Sequence, residues 1–298
     1  MISNESWFTV TKKGKIQINS VTIYQDLSSE IVNKLEQNLS VSEIIDWLRS
    51  TTRENFSRKY GKNPEVGALN NATGRWNEFI ATTLFSEIVL DFNQATESCI
   101  VIFPLPNSRV QTEGVNETYS KFLSLFNNND FDARETLARI APFQEKIFLP
   151  SPDYIIAVLR DWAKPSTLKG DREIRASVQS LLEKQAKEPN NLDIYGFLQG
   201  KLHLEDVKAA VSLKTSNRPD RRYQPLFEAA IIKAIGYVLQ QRWKYYMVAS
   251  ELTSMDRTIF RTAIAPHGIA LEEDFKLVDG TFLYKCKADL VPLIETIL

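Results

Sequence analysis

Histidine and cysteine are almost missing from this chain, with two of each among 298 residues. His203 and His267 have no partner ligand at the spacing of a zinc site, which excludes a zinc centre built on paired histidines. Cys99 and Cys286 lie far apart and suggest no disulfide framework, so the expected setting is a reduced cytoplasm. No stretch approaches the roughly 18 apolar residues of a membrane span. The opening Met1–Trp7 lacks the basic and apolar regions of a signal peptide. Charge of one sign is not in excess either. With 36 basic and 37 acidic side chains the net charge is -1, which argues against coating nucleic acid by bulk charge. It leaves room for a specific binder with a local basic surface.

What is present is an ordinary globular composition, 43% hydrophobic and 24% charged, in a chain long enough to bury a substantial core. We read one α/β domain over 1–298, with an N-terminal elaboration over about 1–65 and a charged helical insertion over about 164–192. Alternating runs at Trp7–Val10 and Ile16–Asn19 predict a hairpin around Gly14. The pattern from Ser28 to Tyr60 is helical, with Ser40 and Glu43 placed as a capping box. Pro64–Thr73 reads as a loop, after which Trp76, Phe79, Ile80, Leu84, Ile88 and Val89 mark a helix. Ser98–Phe103 reads as a strand stopped by Pro104 and Pro106, and Asn127–Asp130 as a surface loop. Tyr154–Leu159 has the continuous apolar run of a strand buried on both faces. Further strands are expected at Val207–Lys214, Lys244–Ala249 and Thr281–Tyr284. A helix is expected from Tyr223 to Trp243 and a last one from Asp289.

The densest chemistry lies between Ser212 and Glu228, where a strand ending in Lys214 leads through Arg218-Pro219-Asp220-Arg221-Arg222 into a helix. Alternation along the strand puts Ser212 and Lys214 on one side and Val211 and Leu213 on the other, toward the core. Pro219 suits a first helical turn, which sets Arg218, Asp220 and Arg221 at the helix entrance. Arginine matches the O6/N7 edge of guanine, and a carboxylate accepts from cytosine N4. Glu228, two turns beyond Arg221, is expected to reach back toward a phosphate. Phosphodiester hydrolysis needs a divalent ion on oxygen ligands, a positioned water and neutralisation at phosphorus. Asp153, opening a buried strand, is a natural first carboxylate.

Pro152-Asp153 together with Ser212-Leu213-Lys214 resembles the PD-(D/E)XK nuclease core. The run from Ser212 through Lys214, Thr215, Arg218, Asp220, Arg221 and Gln224 to Glu228 resembles the type II restriction endonucleases that read CCGG-containing sites. Gly74-Arg75-Trp76-Asn77-Glu78-Phe79-Ile80 is similar to that group's helix carrying another active-site glutamate. Ser212 stands where most of the superfamily has an acid; in this group the missing carboxylate comes from the helix, here Glu228. The resemblance implies a central mixed β-sheet flanked by helices, with helical additions. It implies that Asp153 and Glu228 ligate Mg²⁺, that Glu78 completes the acidic cluster, and that Lys214 activates water and stabilises the phosphorane. Arg218, Asp220 and Arg221 would contact the G and C edges. Arg222 is a candidate phosphate contact, and Asn71, in the loop before Glu78, a candidate minor-groove contact. The implied product ends are 5′-phosphate and 3′-hydroxyl with 5′ extensions. The implied partners are double-stranded DNA and further copies of the chain, as a homodimer or homotetramer. Two other readings compete: a sequence-specific DNA-binding protein that does not cut, and a PD-(D/E)XK repair or recombination nuclease. Trp243, Tyr245 and Tyr246 read as core residues.

Overall fold

The computed structural model describes residues 4–96, 98–106, 121–126, 152–159, 171–215 and 223–297. Its centre is a five-stranded sheet of β3 (Ile100–Pro104), β4 (Tyr154–Val158), β5 (Val207–Lys214), β6 (Lys244–Ala249) and β7 (Gly280–Leu283), in that spatial order. β4 runs antiparallel to both β3 and β5, whereas β5, β6 and β7 are parallel to one another. The sheet is therefore mixed, as expected. β4 is buried along its whole length and β5 along nearly all of it, which explains their unbroken apolar runs. Pro104 does not stop β3 but ends it, paired with Tyr154. β3 is an edge strand, where a missing N–H costs no ladder bond.

A separate hairpin of β1 (Phe8–Val10) and β2 (Ile16–Ile18) opens the chain, with Phe8 opposite Ile18. It leads into α1 (Ser20–Asp26), α2 (Ser28–Glu36) and α3 (Val41–Tyr60). The Ser40–Glu43 capping box forms, and α3 ends at Gly61 with φ 66°. α4 (Val66–Thr96) overturns the expected loop at 64–73. Gly67, Asn70, Asn71 and Gly74 are weak helix formers, but Leu69, Ala72 and Trp76 are buried on one side and tertiary packing outweighs propensity.

α4 packs on β3 and on α5 (Asp171–Lys187). The α5 residues Val178 and Leu182 are buried, and Gln185 Nε2 donates to the Ile102 carbonyl on β3 at 2.9 Å. α6 (Asp193–Leu198) follows. The parallel half needs crossovers. α7 (Gln224–Val238) joins β5 to β6, while α8 (Ser254–Thr262) and α9 (Pro266–Ala270) lie between β6 and β7. α7 stops short of the expected Trp243, with Leu239 as cap and Gln240 at φ 57°. α10 (Lys287–Glu295) packs on α4 and β7. Among the described residues neither Cys99 nor Cys286 is in a disulfide. Among the described residues no helix is long and apolar enough to cross a membrane.

Candidate active site

The antiparallel register of β4 and β5 sets Tyr154 opposite Val211, so Asp153 falls level with the end of β5. There its Oδ2 accepts a hydrogen bond from the Leu213 backbone N–H at 2.6 Å. The Ser212 hydroxyl donates to the same oxygen at 3.3 Å, and Lys214 Nζ lies 3.6 Å from it. A carboxylate held by a backbone donor and faced by an ammonium is a fixed feature of the sheet edge. Lys214 and Asp153 are only partly exposed, at 17% and 33% of their side chains.

Glu228 is brought to the same place from the other side. α7 packs on β6, and the Tyr245 hydroxyl of β6 donates to Glu228 Oε2 at 2.7 Å. Glu228 is 5% exposed and is held against the sheet by that hydroxyl. Burial pushes its carboxyl above the ordinary range; Lys214 and the Tyr245 hydroxyl pull it down and the Asp153 charge pushes it up. Ser212, fully buried, lies within hydrogen-bonding reach of Glu228 as well as of Asp153. The expected outward side of β5 is thus closed over at Ser212 and partly open at Lys214.

Glu78 comes from α4. The Tyr154 hydroxyl donates to the Glu78 carbonyl at 2.9 Å and lies 3.0 Å from Thr82 Oγ1, while the Tyr284 hydroxyl donates to the Asn77 carbonyl at 2.9 Å. These two buried tyrosines fix this turn of α4 against β4 and β7. The Glu78 side chain pairs with Arg75 Nη1 at 3.2 Å. Its carboxyl is raised by burial, lowered by Arg75, raised by Asp153 and lowered by Lys214. Glu78 and Glu228 therefore each feel the charges of Asp153 and Lys214. Asn71 lies in α4, exposed, and not in a loop before it. Arg218, Asp220, Arg221, Arg222 and Pro219 lie outside the described residues.

Among the described residues no three acidic, cysteine or histidine side chains stand close enough to cage a metal unaided. Mg²⁺ does not require such a cage, because it keeps several waters and is held by one or two carboxylates with substrate phosphates. Asp153 and Glu228 supply hard oxygen donors on either side of Ser212, so the donor set fits that ion. Sequence reading missed Tyr154, Tyr245 and Arg75. The two tyrosines carried only a weak signal, that a buried phenol must find a partner.

A sequence profile described as Cfr10I/Bse634I restriction endonuclease matches residues 4–298. The type II restriction enzyme Cfr10I of Citrobacter freundii is 26% identical over 291 residues, covering 90% of this chain and 93% of its own. The crystal structure of the type IIF restriction endonuclease Bse634I with cognate DNA superposes with a TM-score of 0.69. It is 21% identical and covers 99% of this chain and 98% of that one. A second structure, Bse634I restriction endonuclease, gives 0.65 with the same identity and coverage.

Proposed function

The chain belongs to the Cfr10I/Bse634I restriction endonuclease family, and from that premise we propose that it is a type II restriction endonuclease. It hydrolyses both strands of DNA at a palindrome containing CCGG and leaves 5′-phosphate and 3′-hydroxyl ends with 5′ extensions. One observation supports the catalytic part most: Leu213 N–H and Lys214 Nζ converge on Asp153 Oδ2 at the end of paired β4 and β5. Asp153 and Glu228 hold Mg²⁺, with Glu78 completing the acidic set. When bound, the ion supplies a Lewis acid for the phosphate and lowers the pKa of water. Lys214 orients the attacking water and stabilises negative charge at phosphorus. Ser212 spaces the two carboxylates without adding a third charge. Tyr245 fixes the Glu228 carboxylate, and Tyr154 sets the height of Glu78.

Arg218, Asp220 and Arg221 read the G and C edges, Arg222 touches phosphate and Asn71 approaches the minor groove. Each arginine removed would cost about 1–3 kcal/mol of discrimination. A palindrome requires two readers related by a two-fold axis, hence a homodimer at least, or a homotetramer. Such an enzyme acts in the bacterial cytoplasm, as part of restriction-modification.

The test is digestion of supercoiled plasmid with Mg²⁺ and with a chelator, by wild type and Lys214→Ala. Discrete fragments from wild type with Mg²⁺ alone, and none from Lys214→Ala, support the reading. Sequence-specific binding without cutting under any divalent ion would favour the non-cleaving protein.

A further inference from the structure

We propose that the cleft between α4 and the β3–β4 edge holds the backbone of the cut strand outside the recognised core, with Arg75 as its phosphate-positioning residue. The proposal rests on the nuclease reading above. The cleft has a volume of about 550 Å³ and is lined by Arg75, Glu78 and Asp153, with Phe79, Leu105 and Pro106 as apolar wall. That volume lies in the range of about 300–1,000 Å³ typical of ligand clefts. Leu105 N–H donates to the Asp153 carbonyl at 3.2 Å, so one wall is bonded directly to the aspartate at the sheet edge.

Placement gives the cleft its role. The segment expected to read bases leaves the described chain after Thr215 and rejoins it at Tyr223. Tyr223 opens α7, which packs on β6, and its hydroxyl lies 3.5 Å from Asp256 on α8. Both anchor points are on the β5–β6 side of Asp153, whereas the cleft is on the β3 side. A strand whose scissile phosphate sits at Asp153, with its recognised bases toward β6, must run its other flank into the cleft.

The charges suit that flank. Arg75 and Glu78 lie on one stripe of α4, and their ion pair of 3.2 Å is about half exposed on both sides, 49% and 46%. Exposed pairs of this kind are weak. A phosphate can therefore take the guanidinium, whose planar fork matches two phosphate oxygens. Pro104 and Pro106, half-buried in the cleft wall, offer the deoxyribose an apolar face.

The experiment uses duplexes carrying one neutral methylphosphonate, moved stepwise along the cut strand. In wild type, one position outside the CCGG core should slow cleavage about tenfold, the loss of one charge-assisted hydrogen bond. Arg75→Ala should lose a similar factor on native DNA and become insensitive at that position. Arg75→Lys should recover part of the rate, and the cut position should not move. Arg75→Ala that keeps the wild-type sensitivity at every position overturns the inference. So does wild-type protein that cuts but is indifferent to every methylphosphonate outside the core, a result that needs no variant. Wild-type protein that cuts no DNA overturns the nuclease reading itself and is told apart by that.

Discussion

Ser212 places a single hydroxyl, in a fully buried position, within reach of two carboxylates. An acid there would put a third negative charge into a space that already raises the Glu228 carboxyl. Its role was legible in sequence only through the resemblance, because a serine in a strand carries no signal of its own. Lys214 and Asp153 were legible as a strand end and a strand start. Arg75 and Tyr245 were not, since their partners are set by packing between elements remote in sequence. At this scale Lys214→Ala is expected to abolish cleavage while leaving cognate binding nearly unchanged, measured by single-turnover digestion and by binding in Ca²⁺. Equal loss of both would contradict the catalytic role. Glu228 gives a pH test. Its carboxyl is raised in the folded state, so the folded chain holds that proton more tightly than the unfolded chain. Ionising Glu228 then costs stability as pH rises through its raised value. Glu228→Gln should therefore melt higher than wild type at neutral pH without metal, and the gap should close below the ordinary carboxylate range. A lower melting temperature for the variant at neutral pH would contradict this.

The elements were legible where burial is two-sided or caps are explicit. β4, β5, β6 and the Ser40 cap of α3 follow directly from apolar runs and side-chain chemistry. The start of α4 was not legible, because glycines and asparagines there read as a loop until Leu69, Ala72 and Trp76 are seen to be buried. That matters for the site, since α4 carries Asn71, Arg75 and Glu78 on one rigid helix. Tyr154 ties this helix to β4 through the Glu78 carbonyl and Thr82. Tyr154→Phe removes a buried donor and should cost about 1–3 kcal/mol by denaturant unfolding. Cleavage should fall while cut position stays. Unchanged stability would mean that the hydroxyl does not fasten α4.

For the whole molecule, the mixed sheet and its flanking helices were implied by the resemblance and are what the structure has. Its parallel half holds Lys214 level with Ala249. Composition could not reveal how many copies act together, because assembly depends on surface shape. Sedimentation at micromolar protein should give a dimer or tetramer; a monomer that still makes double-strand breaks in one binding event would contradict two-fold reading. Sequencing every DNA end from a complete Mg²⁺ digest of a bacterial genome tests the central claim most directly. We predict that every end begins from one palindrome containing CCGG, with a 5′ extension and a 5′-phosphate. Ends that share no common sequence, or share one without CCGG, would contradict it.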